Sequence, residues 1–323
     1  MGLLQTVGLR RRIKWERLTV LDQLLLSPFT FIIIQIYHIL LFLRGKPFNP
    51  PRNKQPVKVV CISDTHDLTV DVPPGDILIH AGDLTNDGTV VDLQKQIDWL
   101  KSFPHPVKIV VCGNHDSYFD PTSRKEVDIR SGAKVDFGDI LYLEGDMTVQ
   151  KVKGRKISIF GAPDIPKCGA KDFAFQYTDE TQPWAGRIPL ETDILITHGP
   201  PKHHLDLDLG CPHLLQEVWR VRPRLHVFGH CHWDYGKEAV YFDEMQHAFE
   251  RVLGNRRRGI ISDFIPNEGW LDMFEVVFYG VQAVLWKWLM GGPNSNNGGL
   301  MVNAAQMYGN TGRVKSRAIV VEI

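Results

Sequence analysis

Five short motifs place Asp, His and Asn where they could hold divalent cations: Asp64-Thr65-His66, Gly82-Asp83, Gly113-Asn114-His115-Asp116, Thr197-His198-Gly199 and Gly229-His230-Cys231-His232. In extended backbone the side chains at i and i+2 leave on the same side, so Asp64 with His66, and His230 with His232, can converge on one ion. Cys231, between the two histidines, then points away and reads as a buried neighbour. A carboxylate such as Asp83 has two oxygens with which to bridge two cations, and the glycine before it lets the backbone approach closely. Asn114 offers a neutral carbonyl oxygen, which leaves the adjacent His115 free to serve as an acid. Any one of these motifs arises by chance; five in succession do not.

Strands must position them. Each motif closes a short, nearly continuous apolar run, at 57–63, 76–80, 107–112, 193–198 and 224–230, and two further runs lie at 140–143 and 156–161. Such runs belong to strands covered on both faces. Helical patterns lie between them at 90–103 and 213–223; in the second, Leu214, Leu215, Val218 and Trp219 share a face and Pro223 ends the helix. The alternation predicts a layered α/β domain with the polar motifs at the carboxyl ends of its strands, where open α/β sheets build their sites.

Across 323 residues 37 Lys and Arg match 37 Asp and Glu, so no overall field draws the chain to nucleic acid, and no nucleic-acid partner is expected. The five cysteines are odd in number and include no CxxC pair, which speaks for free thiols in a reducing compartment. No N-x-Ser/Thr sequon occurs. Residues 24–43 run without a formal charge over about the length that crosses a bilayer core. Arg10, Arg11, Arg12, Lys14 and Arg17 precede this run and Arg44, Lys46, Arg52 and Lys54 follow it, so the positive-inside rule gives no orientation. The run starts too late, and lacks the small-residue site, for a cleaved signal.

We therefore read 1–45 as a basic and hydrophobic membrane-associated segment, spanning the bilayer or lying in it, with a helix buried on the main domain as the alternative. Residues 46–56 read as a Pro-rich linker and 57–323 as the main domain, with an insertion at 239–299. The insertion carries Arg256, Arg257 and Arg258 and an aromatic-rich pattern over 270–290. There Leu271, Phe274, Val277, Phe278, Val281, Val284, Leu285 and Trp288 recur at helical spacing. A helix of this kind could lie in a membrane interface, or pack on the N-terminal segment, a partner or the core. The expected placement is intracellular, at a membrane, with the main domain facing the cytosol.

In the order D-x-H, G-D, G-N-H-D, H-G, G-H-x-H the motifs resemble the calcineurin-like metallophosphoesterase superfamily, over 57–236 and again over 300–323. The stretches 197–215 and 221–236 are more similar to its metallophosphoesterase domain-containing branch, itself similar to class III cyclic nucleotide phosphodiesterases. The resemblance implies a four-layer αββα sandwich, here with an N-terminal hydrophobic helix and an apolar insertion before the last strands. It implies that Asp64, His66 and His232 hold one metal, that Asn114, His198 and His230 hold a second, and that Asp83 bridges them. It also implies that His115 contacts the scissile phosphate and assists the leaving group. Some members of the branch lack the first histidine of the last motif, whereas His230 is present here. Protein phosphatases of the superfamily use an Asp to orient the catalytic histidine; this chain has Asn86 there, so Asp87 or Asp116 would have to substitute.

Two divalent cations with two anionic ligands, Asp64 and Asp83, keep about one net positive charge even with a bound hydroxide, and so attract a phosphate monoanion. The expected reaction is hydrolysis of a phosphodiester or phosphomonoester by a metal-bridging hydroxide, His115 protonating the departing alkoxide. The mixed His, carboxylate and amide ligands suit Mn, Fe or Zn better than Mg or Ca. The substrate could be a small soluble diester, such as a cyclic nucleotide, or a lipid-linked phosphate. His203, His204, Asp206 and Asp208 either line its pocket or form a solvated loop. The competing readings are a catalytically weak metal-binding scaffold and a membrane-bound partner-binding protein. Oligomeric state is not specified by these features.

Overall fold

The computed structural model describes residues 2–50, 53–255, 260–263, 265, 268–291, 298–309 and 311–323, and the chain divides into two compact units. One comprises Met1–Asn49 with Ala239–Gly299, the other Pro50–Glu238 with Leu300–Ile323. Arg256, Arg257 and Arg258 lie outside the described residues.

The larger unit carries the polar motifs on two sheets. The first contains β1 (Lys58–Ile62), β2 (Ile77–Ala81), β3 (Val107–Val111), β4 (Leu141–Tyr142) and β13 (Ile319–Glu322), in the order β13-β1-β2-β3-β4. All its neighbours are parallel except β13, which runs antiparallel to β1. The second contains β5 (Asp146–Val152), β6 (Arg155–Ala162), β9 (Ile194–Thr197), β10 (Leu225–Phe228), β11 (Gly236–Val240) and β12 (Gly299–Asn303), in the order β11-β12-β10-β9-β6-β5. A short ribbon pairs β7 (Ile165–Pro166) with β8 (Gln176–Tyr177).

The two sheets face each other: a Cβ on Gly161 of β6 would lie 2.8 Å from Val111 of β3. With helices α4 (Val90–Lys101), α5 (Glu126–Ser131) and α6 (Pro212–Val221) between the strands, the unit is an αββα sandwich. Every residue of β2 is buried, as its unbroken apolar run requires. Helix α4 begins where the Thr89 hydroxyl accepts the Asp92 N–H, and its Leu93, Ile97 and Leu100 pack on Val60, Ile62, Leu78 and Val110. Each such side chain contributes about 1.5–3 kcal/mol by leaving water. The expected strand at 140–143 shrinks to two residues. Strand β5 was not anticipated, because Met147 and Val149 alternate with polar residues on an exposed edge instead of forming an apolar run.

The smaller unit is helical: α1 (Leu3–Thr6), α2 (Val20–Leu26), α3 (Pro28–Arg44), α7 (Glu244–Gly254), α8 (Ile260–Asp263) and α9 (Glu268–Trp286), the last running into a π-turn at Lys287–Gly291. The uncharged run at 24–43 is not one helix. Ser27 is extended and its hydroxyl accepts the Thr30 N–H, while Pro28 opens α3, so the run breaks after α2. Among the described residues no helix is long and apolar enough to cross a membrane, so the spanning form of the expected anchor is not supported. Instead α3 packs within its unit: Tyr37 stacks on Phe249 at 3.7 Å, and Ile33 and Leu40 join Met245 and Val276 in the core. Arg44 pairs with Asp243 at 2.6 Å and lies over the Tyr241 ring.

Candidate metal centre

The site is assembled at the C-terminal ends of β1, β2, β3, β9 and β10, each strand delivering its ligands within four residues of its end. The chain must turn sharply there, and Asp64, His66, Asp83 and His230 all adopt left-handed backbone (φ 53°, 45°, 53° and 63°). Such conformations cost of order 1–3 kcal/mol each and persist only where the surroundings fix them. Here the Asp64 N–H donates to the Gly82 carbonyl and the His66 N–H to the Asp83 carbonyl, stitching the first two loops together. Close approach requires glycine at several of these turns. A Cβ on Gly229 would lie 2.0 Å from Asp64 Oδ2, and one on Gly82, itself at φ +101°, would lie 2.4 Å from His198 Nδ1.

The side chains fall into two groups that share one carboxylate. Asp64, His66, Asp83 and His232 offer ligand atoms within 4.8 Å of one another, and so do Asp83, His198 and His230. Asn114 completes the second group, its Oδ1 2.9 Å from both His198 Nε2 and His230 Nδ1. All seven sequence-predicted ligands are thus brought together, and Asp83 stands where a bridging ligand would.

The donor set fits divalent cations on its own chemistry. His198 Nδ1 lies 3.0 Å from the Ala81 carbonyl and His232 Nδ1 2.7 Å from the Gly309 carbonyl, so each ring spends a proton there and aims Nε2 inward. Those inward nitrogens meet acceptors: His232 faces Asp64 at 3.1 Å and His198 faces Asp83 at 3.4 Å. His66 Nε2 and His232 Nε2 lie only 3.3 Å apart. Lone pairs converging in a buried space require a cation or protons between them. The titration behaviour expresses this demand. Burial pushes His198 down, but the charge of Asp83 and its hydrogen bond outweigh burial and lift the ring to about 9. Burial likewise pushes Asp64 up, yet the His232 hydrogen bond and charge hold it at about 2. His230 is driven down to about 4 by burial and by His198, which keeps it neutral as a ligand must be.

His115 sits beside this cluster without joining it. Its backbone N–H donates to Asp83 Oδ1 at 2.8 Å, and its ring meets His66 edge-on at 4.9 Å. Neither Asp87 nor Asp116 orients the ring. Its Nδ1 lies 2.9 Å from the backbone carbonyl of Asn86, which does so in their place. Asp87 pairs with Lys125, and Asp116 is buried, accepting N–H groups of Leu84, Thr85 and Gly113 and so tying the second loop to the third. Burial and the nearby Asp83 raise the Asp116 carboxyl to about 6. Phe173, which sequence reasoning missed, leans on the His115 ring at 4.8 Å. No local signal marks it, since the segment that carries it is anchored by Ala174 N–H to the Asn114 carbonyl and by Phe175 N–H to Asp120.

The loop after His198 is partly buried: Asp208 is exposed and pairs with Lys202, while Asp206 and His204 turn into the fold. Asp206 is buried and accepts N–H groups of His203, Asp208 and Gly210, and His204 is buried beside Glu238. Cys231 is buried, its thiol on the Asp206 carbonyl, as expected of a neighbour that is not a ligand.

Comparison with known proteins is consistent with this geometry. Residues 57–234 match the profile of calcineurin-like phosphoesterases. A protein of Emericella nidulans named probable rhamnogalacturonate lyase C is 39% identical over 271 residues, 83% of this chain but 24% of its own length. The chain thus spans about a quarter of that relative. The UPF0046 protein K07C11.7 of Caenorhabditis elegans is 36% identical over 59% of this chain and 69% of its own. The human metallophosphoesterase domain-containing protein 1 is 34% identical over 60% of this chain and 66% of its own.

Proposed function

The chain belongs to the calcineurin-like phosphoesterase family, and from that premise we propose that it is a metal-dependent hydrolase of phosphoric esters, with a phosphodiester as the favoured substrate. The observation that carries this reading is the sharing of Asp83 between two groups of buried ligands, with His115 held next to them by the same carboxylate. Asp64, His66, Asp83 and His232 would hold one divalent cation, and Asp83, Asn114, His198 and His230 a second; their nitrogen-rich donors favour Mn, Fe or Zn. When bound, such cations supply Lewis acidity and a source of hydroxide at neutral pH.

The remaining work falls to the chain. With Nδ1 committed to the Asn86 carbonyl, His115 keeps Nε2 for substrate and can hand a proton to a departing alkoxide there. Phe173 restrains the ring from one side and excludes water from it. Asp116 fixes the spacing of the Asp83 and Asn114 loops through three backbone N–H groups. A diester presents a single negative charge, which matches a centre where two carboxylates and a hydroxide would stand against two dications.

The test is turnover of bis-p-nitrophenyl phosphate and p-nitrophenyl phosphate by the full chain with added Mn²⁺, against Asp83→Ala. We expect diester turnover that falls by ~10⁴-fold or more in the variant, which loses its shared ligand. Absence of turnover on both esters, with metal shown to be bound, would sink the reading.

A further inference from the structure

The helical unit turns its polar residues inward and its apolar ones outward along α9. Asp272 is buried and pairs with Arg251 at 2.7 Å, and Glu275 pairs with the same guanidinium. On the opposite side Phe274, Phe278, Val281 and Leu285 form a stripe at helical spacing, Phe274 being 64% and Phe278 53% exposed. Among the described positions from 270 to 289, Gln282 is the one exposed polar residue. Helix α3 lies alongside, Leu40 so close to Gly280 that a Cβ there would meet it at 2.4 Å. It adds Ile39 and Phe42, 58% and 83% exposed, with no charged residue exposed between 28 and 43.

An apolar face of this extent, on two neighbouring helices and without a charged rim of its own, calls for an occupant that is apolar in depth. Three features select a lipid surface over a second protein. Residues 1–49 carry seven Lys and Arg against two acidic residues, and although 239–299 carries seven acidic residues against five basic ones, the unit with the face keeps a charge of +3 in a chain that is neutral as a whole. Trp270, Trp286 and Trp288 stand at the two ends of the stripe, all exposed, as rings that prefer the boundary between headgroup and acyl chain do. No described helix is both long and apolar enough to cross, which favours an orientation in the plane of the interface.

We propose that the exposed apolar face of α3 and α9 docks the protein on an anionic lipid bilayer, entering one leaflet without crossing it. This docking does not depend on the chemistry at the metal centre.

The experiment is flotation of the full chain with phosphatidylcholine vesicles, with and without phosphatidylserine at roughly one lipid in three. We expect co-flotation with the anionic vesicles, weakened by about tenfold or more without phosphatidylserine or at high salt. Replacing Phe278 and Leu285 together by Glu should reduce flotation by at least about tenfold, while Phe278→Leu keeps it. Should the double variant misfold, quenching of wild-type tryptophan emission by brominated lipid, diminished in Trp288→Phe, reads the same contact. The inference is overturned if neither vesicle type floats the wild type or quenches its emission. It is equally overturned if the folded double variant binds unchanged, or if wild type ignores lipid and sediments as a dimer that the double variant splits.

Discussion

At the metal centre of the sheet unit the ionisable side chains lie inside and face one another, Asp64 and Asp83 against His232 and His198, beside buried apolar strands. In the helical unit Asp272 is also turned inward, paired with a partly exposed Arg251, but the face left to solvent is the apolar one, led by Phe274, Phe278 and Leu285. Both units bury charge, for opposite ends. The first holds converging acceptors that demand a cation; the second neutralises its own charges so that its surface can do without them. Buried polarity alone therefore does not mark a site. What distinguishes the metal centre is that two carboxylates, an amide and four imidazoles converge there without a permanent cation among them, whereas the carboxylates around Arg251 face one.

The largest effect that would sharpen this contrast is catalytic and confined to the sheet unit. His115→Gln should lower diester turnover by ~10³-fold while metal content, read by atomic emission, stays at the wild-type level. The loss should be smaller for a p-nitrophenolate leaving group than for an alkyl one, because the better leaving group has less need of a proton. Equal losses for both would remove the acid role.

A second test concerns the protein stripped of metal. The His198 ring is held above its ordinary 6.5, at about 9, by Asp83. A raised folded value contributes stability that is complete below pH 6.5 and lost as pH rises through about 9. In EDTA the urea midpoint of the sheet unit should therefore fall between those limits, by up to roughly 3 kcal/mol of stability. Added Mn²⁺ should abolish the fall, since a cation then stands where the proton did. A midpoint indifferent to pH across that window would mean that the inward nitrogens are not seeking a cation.

The smallest effect belongs to the helical unit. Arg251→Met leaves Asp272 buried without its partner and should cost about 1–3 kcal/mol, less than for a fully enclosed pair because the guanidinium is partly exposed. Hydrogen exchange should quicken in α7 and α9 with no change in diester turnover. A parallel loss of activity would break the separation between the units.

The metal centre was legible because its motifs are local. Each ligand sits within a few residues of a strand that announces itself as an apolar run, and strand order places the ends of such runs together. The backbone partners were not legible: the carbonyls of Ala81, Gly309 and Asn86 have no side-chain signature, and Gly309 is 77 residues from the ring it orients. Phe173 was hidden for the same reason. In the helical unit the spacing of Phe274, Phe278 and Leu285 was visible, but periodicity reveals that a face exists and not which way it points. The uncharged run at 24–43 had the length of a span, and Ser27-Pro28 within it, a helix-capping pair, set its true division.

The helical unit draws its parts from two distant stretches, and this bears on how the protein is made. Helix α3 is complete once residue 44 has been synthesised, but its core partners Met245, Phe249 and Val276 follow some two hundred residues later. At ordinary elongation rates that interval is roughly 10–40 seconds. Throughout it Ile33, Tyr37 and Leu40 have no native place to go. A nascent chain of this design carries the apolar face of α3 without its native partners until the unit it belongs to can close.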